Sequence, residues 1–345
     1  DKNDLNEERV GFLINPNIDY ICILWGIWKA GGIAVPLSLS AKKAELEHFI
    51  SDSKIKLIIS SKECISRNNV PNLDNLRVQD LEDLTLNNSK DLPTLVPERK
   101  AMILYTSGTT SQPKGVVISH RNIESQITTL VEAWEWKKED RIPLFLPLHH
   151  IHGIINSLSC PLFVGAKVSM IGPFDVKKVS KQVSKGGFSV FTAVPTIYFS
   201  LIEELEDFED QSLFDGFRSM RLMMSGSAAL APEIHKKWKE LTGQELLERY
   251  GMTEVGMALS NEYSGERRPG SVGVTLPGVE VKLEDEDGNI IEKEGEAGQL
   301  LIRGPQVFVE YLNLPEKTKE SFKDGWFVTG DVVMLERGYY RILGR

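Results

Sequence analysis

Residues 105–115 read Tyr-Thr-Ser-Gly-Thr-Thr-Ser-Gln-Pro-Lys-Gly, a run of hydroxyls and glycines closed by one lysine. The apolar segment 101–105 precedes it and Val116–Ile118 follows it, and both suit short buried strands. The loop therefore joins strand to strand. Glycines let backbone approach an anion closely, hydroxyls and main-chain N–H groups supply donors, and Lys114 adds a mobile positive charge. These are the needs of a loop that grips a polyphosphate, although the same residue types also make ordinary polar loops. A P-loop is a poor description, because Pro113 stands where that motif has glycine and Gly115 where it has the magnesium-binding Ser or Thr.

At 345 residues, 41% hydrophobic and 26% charged, the chain is long enough for more than one core and has ordinary globular composition. Its net charge of −9 argues against nucleic acid as a partner, since phosphate backbones are held by clustered Lys and Arg. Cys22, Cys64 and Cys160 are odd in number and lack CxxC spacing, which points to neither a disulfide framework nor a zinc site. A reducing compartment is expected, the cytoplasm first, with an organelle matrix left open. The longest apolar stretch, Tyr20–Leu39, is broken by Lys29, Gly31, Gly32 and Pro36 and reads as helix, turn and strand, so no membrane span is expected.

Strand-like runs at 11–14, 33–36 and 56–59 alternate with helical patterns at 19–29 and 42–52, as in parallel α/β architecture. Residues 75–100 are polar and read as a connector. A second series follows, with strands near 142–146, 167–171, 189–193 and 221–225 and helices near 121–133, 175–184, 196–207 and 232–241. Beyond about 266, short strands with glycine turns suggest a small β-barrel. The expected fold is α/β, with two stacked α/β sheet subdomains (approximately 1–172 and 173–265) and a β-barrel subdomain over 266–345.

Four further motifs carry chemistry. Arg249-Tyr-Gly-Met-Thr-Glu254 offers a hard carboxylate of the kind magnesium takes alongside substrate phosphates. Ser225-Gly-Ser-Ala-Ala229 leaves room for a flat ligand, or makes a tight turn before a helix at Pro232. Trp326-Phe-Val-Thr-Gly-Asp331 ends in a carboxylate suited to a vicinal diol. The histidines of His149-His-Ile-His152 lack the further Cys or Asp that a structural zinc would need.

Taken with the loop at 105–115, these motifs resemble the AMP-forming adenylation superfamily of acyl-CoA synthetases, luciferases and peptide-synthetase adenylation domains, over almost the whole chain. The resemblance implies the large N-terminal domain of an adenylate-forming enzyme. It further implies that Tyr339–Arg345 precedes an interdomain hinge and that a small C-terminal lid domain is absent. Ser111 departs from the family's usual glycine, which puts the geometry of that turn in question.

By the same resemblance Thr106, Lys114, Thr253 and Glu254 are catalytic, with Glu254 on magnesium. Ser107, Gly108, Thr109, Thr110, Gly226, Ser227, Ala228, Tyr250, Gly251, Met252, Asp331 and Arg345 bind the nucleotide, and His150 sits in the acid tunnel. The implied reaction needs no protein nucleophile, and the chain has no Gly-x-Ser-x-Gly elbow. A substrate carboxylate attacks the α-phosphate of MgATP, giving acyl-AMP and pyrophosphate, and coenzyme A then takes the acyl group. Without the lid, adenylation by this chain is expected to be much reduced.

Residues 222–230, 247–259 and 267–273 are most similar to the malonyl-CoA synthetase branch. Malonate or methylmalonate keeps a second negative charge while one carboxylate reacts, and an arginine fork suits it. Arg267 aligns with the branch's arginine. Other readings are a fatty-acid or aryl-acid CoA ligase, whose tunnel would be apolar, and a non-catalytic nucleotide-binding module. A peptide-synthetase adenylation domain is disfavoured, since no aspartate is placed to meet an α-amino group.

Overall fold

The computed structural model describes residues 4–68, 70–71, 75–84, 91–106, 112–207 and 211–345. They fall into two compact units, one of residues 1–124, 147–151 and 308–319 and the other of residues 125–146, 152–307 and 320–345.

In the first unit, β1 (Arg9–Leu13), α1 (Ile18–Lys29), β2 (Ile33–Pro36), α2 (Lys43–Ser53), β3 (Leu57–Ser60), α3 (Lys62–Asn68), β4 (Arg77–Asp80), β5 (Lys100–Thr106) and β6 (Lys114–Ser119) follow in order, and α4 (His120–Ala133) begins there. The strands form one sheet in the order β6-β5-β2-β1-β3-β4, with Glu310–Tyr311 added beside β6. Pairings among β1 to β5 are parallel, whereas β6 runs antiparallel to both its neighbours. The parallel strands read as near-continuous apolar runs because helices cover them, and Leu13, Val35, Ile58, Ile103 and Val117 form the core. Helix α1 starts where Asn17 accepts from the Tyr20 N–H at 3.2 Å, with Asp19 in its first turn. The polar stretch 75–100 contains β4, which pairs with β3. Its sequence, Arg-Val-Gln-Asp, lacks an apolar face because it is an edge strand.

The second unit holds β7 (Arg141–Leu144), α5 (Cys160–Phe163), β8 (Lys167–Met170), α6 (Val176–Val183), β9 (Val190–Ala193), α7 (Pro195–Asp207), α8 (Gln211–Arg218), β10 (Leu222–Ser225), α9 (Pro232–Thr242), β11 (Leu247–Met252), β12 (Gly256–Ser260) and β13 (Val274–Thr275). Strands β9, β10 and β11 are parallel, and β12 and β13 extend the sheet antiparallel. The helices cover this sheet with an aromatic core in which Phe191, Tyr198, Phe217 and Trp238 meet edge-to-face at centroid distances of 4.9–6.1 Å. Strands β14 (Glu280–Glu284) and β15 (Ala297–Arg303) join Phe322–Lys323, Trp326–Glu336 and Tyr339–Gly344 in an antiparallel sheet. This sheet is the region read from sequence as a barrel.

One buried ion pair ties β7 to β10. Asp140, 3% exposed, accepts from Arg221 Nε at 2.8 Å and Nη2 at 2.6 Å, from Ser189 Oγ at 2.7 Å and from the Lys137 N–H at 2.8 Å. Replacing Asp140 by Ala leaves the Arg221 guanidinium without its carboxylate and should cost about 3–5 kcal/mol of unfolding free energy. Urea denaturation reads the loss, and a change below about 1 kcal/mol would show that the pair does not anchor these strands.

Candidate active site

The loop opened by Tyr105 is the turn of the β5–β6 hairpin, whose register sets Thr106 opposite Lys114 and Tyr105 opposite Gly115. Cross-strand pairing thus brings the last hydroxyl before the turn to the lysine after it, and Thr106 Oγ1 donates to the Lys114 carbonyl at 3.5 Å. The Lys114 ammonium lies 4.4 Å from the centroid of the Tyr311 ring, a cation–π contact that holds the long side chain in one direction. Helix α2 braces the stems of the turn. His48 Nε2 lies 2.8 Å from the Pro113 carbonyl, and Tyr105 donates to Asp52 Oδ2 at 2.8 Å while stacking on Phe49. Ser107, Gly108, Thr109, Thr110 and Ser111 lie outside the described residues.

In the second unit β11 delivers Arg249 to Met252, and the turn Thr253–Val255 leads into β12. Tyr250 donates its hydroxyl to Asp331 Oδ2, joining two motifs 81 residues apart. Asp331 is 9% exposed, its N–H donates to Thr329 Oγ1 at 3.0 Å, and Arg345 Nε stands 3.6 Å from its other oxygen. Burial, with Asp331 beside it, pushes the Tyr250 phenol well above its ordinary value, so it stays a neutral donor. Thr253 is partly exposed at the turn, and the Glu254 carboxylate is 5% exposed.

The least expected feature is Arg249. It is 2% exposed, and none of its three guanidinium nitrogens has a hydrogen-bond partner among the described residues. Burial pushes it down to about 9. It packs on Gly226, where an added Cβ would lie 2.5 Å from Nη1, so the glycine of Ser225-Gly-Ser makes room for the guanidinium. Next to it Ser227 has φ +70, a left-handed conformation costly for a residue with a side chain. His152 holds that turn, with Nδ1 3.2 Å from Ser227 Oγ and Nε2 2.7 Å from Thr192 Oγ1. Residues 152–159 wind as a π-helix, a form that recurs at functional sites. Within it Asn156 is fully buried, and neither its side-chain polar atoms nor the buried Ser225 Oγ has a hydrogen-bond partner among the described residues. Orphaned donors of this kind call for a ligand or water.

Arg267 is placed otherwise. Its Nη1 donates to the Glu245 carbonyl at 2.6 Å and its Nη2 to the Tyr263 carbonyl at 3.2 Å, so the guanidinium straps two backbone segments together. In the sequence Arg249 reads only as the opening residue of the Tyr-Gly-Met-Thr-Glu motif. The signal that sets it apart is a charged residue, beside Glu248, in the buried half of β11. His150 is half open to solvent and lies against His149, ring centroids 4.1 Å apart.

No group of three or more His, Cys, Asp or Glu side chains that could hold a metal occurs among the described residues. The Glu254 carboxylate, with the Thr253 hydroxyl beside it in sequence, fits an ion whose other ligands are phosphate oxygens and water, as magnesium prefers.

A profile of the family described as "AMP-binding enzyme" matches residues 5–312. The chain is 42% identical to the mouse protein named malonate–CoA ligase ACSF3, mitochondrial, over 99% of this chain and 65% of that protein. It therefore spans less than two thirds of that relative's length. Its fold is similar to the ATP-bound crystal structure of MatB from Rhodopseudomonas palustris, with a TM-score of 0.87, 33% identity and coverage of 98% of this chain and 68% of that one. It is also similar to a malonyl-CoA ligase ternary product complex with methylmalonyl-CoA and AMP, with a TM-score of 0.86, 32% identity and coverage of 99% and 72%. The fold is thus that of the N-terminal domain of adenylate-forming enzymes.

Burial, and to a lesser extent the neighbouring His150, pushes His149 down to about 3 from an ordinary 6.5. Between those values the unfolded chain binds a proton that the folded chain refuses, so stability falls as pH falls through the window. His150 moves in the same direction, but its open surface weakens its share. His149→Gln should flatten the decline of unfolding free energy between about pH 6.5 and about pH 4.5 in urea titrations. Superimposable slopes for the two proteins would contradict this.

Proposed function

The chain belongs to the AMP-binding enzyme family, and on that premise we propose that it is the nucleotide- and acid-binding part of an acid–CoA ligase acting on malonate or methylmalonate. The observation that carries the choice of acid is the buried guanidinium of Arg249, which has no hydrogen-bond partner among the described residues. An isolated buried cation is costly, and a carboxylate arriving in a bidentate pose would satisfy it. A dicarboxylic acid keeps one such group while the other reacts. Relatives whose names specify malonate–CoA ligase support the reading.

In this reading one carboxylate oxygen bonds to the α-phosphorus of ATP as the bond to the bridging oxygen breaks, releasing pyrophosphate. The thiol of coenzyme A then attacks the acyl carbon, AMP leaves, and the thiol proton goes to solvent. Magnesium would supply charge neutralisation at the phosphates, with Glu254 and Thr253 as its protein-side contacts. Lys114, Thr106 and the hydroxyls and N–H groups of residues 107–110 would grip the polyphosphate. Tyr250, Gly251, Met252 and the Gly226–Ala228 turn would flank adenine, while Asp331 and Arg345 would take the ribose. His150 would stand on the acid side.

A fatty or aryl acid leaves Arg249 without a partner, and the observed burial therefore disfavours such acids. The comparison that decides is pyrophosphate release with MgATP and hydroxylamine, offering malonate, octanoate and 4-coumarate in parallel. Arg249→Leu should raise the malonate concentration needed by roughly 10- to 100-fold, the loss of a charge-assisted hydrogen bond, and leave the ATP requirement within about threefold. Arg267→Leu should affect both alike, through backbone position. A selective malonate defect in Arg267→Leu alone would move the carboxylate site to Arg267. Release with octanoate or coumarate and not malonate would discard the dicarboxylate. Binding of MgATP without release for any acid would leave a nucleotide-binding module.

A further inference from the structure

The turn that carries Thr253 and Glu254 is held from an unexpected direction. Gln126, in the middle of α4, is 3% exposed. Its Oε1 accepts from the Met257 N–H in a short contact, and its Nε2 donates to the Met257 carbonyl at 3.2 Å. A side-chain amide thus matches a main-chain peptide donor for acceptor, as a neighbouring strand would. Met257 sits just where β12 is irregular. The β11–β12 register shifts between Tyr250 and Gly251, and Gly256 has φ +60.

Both glycines are required by close approach. A Cβ on Gly256 would overlap the Gln126 amide, and a Cβ on Gly251 would overlap the Gly256 carbonyl. The contacts run from the α4 amide to Gly256 and from Gly256 to Gly251, the two residues that bracket the segment Met252–Val255. The Val255 N–H closes this segment on the Met252 carbonyl at 3.2 Å.

We infer that Gln126 is a positioning residue whose amide clamps the β11–β12 bulge and so fixes where the Glu254 carboxylate meets metal-bound phosphate. The inference rests on the reading of Glu254 as the magnesium carboxylate. Glutamine is needed because the peptide presents one donor and one acceptor. Leucine satisfies neither, and glutamate would set a carboxylate against the Met257 carbonyl.

The test is calorimetry on the whole 345-residue chain with AMP in the absence of metal, ATP in the absence of metal and ATP with magnesium. The proteins are the unaltered chain, Gln126→Leu, Gln126→Glu and Glu254→Gln. Both Gln126 variants should bind AMP within about threefold of the unaltered chain and lose roughly 10- to 100-fold of the tightening that magnesium gives ATP, the usual effect of removing a group that orients a metal ligand. Gln126→Glu keeps the polar acceptor and is read alone if Gln126→Leu does not fold. Should Glu254→Gln retain the full magnesium effect, the carboxylate is not the metal's and the inference falls with that reading. If Glu254→Gln loses the effect while the Gln126 variants keep it, the metal reading survives and the clamp is overturned. Equal losses for AMP and MgATP would also overturn it, because they mark a general structural role.

Discussion

A guanidinium buried against Gly226, with no hydrogen-bond partner among the described residues, is the constraint that shapes the Ser225–Ala229 turn and the end of β11. Continuum electrostatics makes an isolated interior cation expensive, and a protein normally pairs it or replaces it with a hydrocarbon. Burial lowers the affinity of Arg249 for its proton, to about 9, and the group is still charged at neutral pH. Under the proposed function this is the group that meets the free carboxylate of the acid. Arg249 excludes any side chain at position 226, the next residue stands in a left-handed conformation at Ser227, and His152 secures that turn through Thr192 and Ser227. Sites that store strain of this kind are those in which geometry matters more than stability.

The same strand end makes three different contacts within six residues. Arg249 faces Gly226, Tyr250 reaches Asp331, and the turn after Met252 presents Thr253 and Glu254. A regular strand would give these side chains alternating faces at fixed spacing. The register shift at Tyr250/Gly251 breaks that alternation, and bulges re-aim side chains in this way beside active sites. The first unit uses a simpler device, an antiparallel hairpin that sets Lys114 across from Thr106 with α2 bracing its stems.

Much of the fold was legible because its elements are local. The buried strands Ile33–Pro36 and Leu222–Ser225 and the helices Pro195–Asp207 and Pro232–Thr242 all stand within a residue or two of their sequence patterns. The edge strands Arg77–Asp80 and Glu310–Tyr311 were not legible, since one is polar and the other two residues long, and each exists only through its neighbour. The π-helix at 152–159 was also invisible, because its signature is a hydrogen-bond ladder rather than a composition. Motifs named the site's residue types, but they could not tell which arginine is satisfied. Arg267 and Arg249 look alike in sequence, and their partners among the described residues, two backbone carbonyls for one and none for the other, distinguish them. Gln126 was hidden for the same reason, being one polar residue in an amphipathic helix whose partner lies 131 residues away.

In the proposed reaction a carboxylate oxygen of a dicarboxylic acid attacks the α-phosphate of ATP. The most direct measurement supplies malonate labelled with oxygen-18 in its carboxylates, together with MgATP and hydroxylamine, and follows the nucleotide products by mass spectrometry. The proposed reaction yields AMP carrying one labelled oxygen, transferred when the acyl–phosphate bond is opened at carbon. Unlabelled AMP, or ADP as the product, would contradict it.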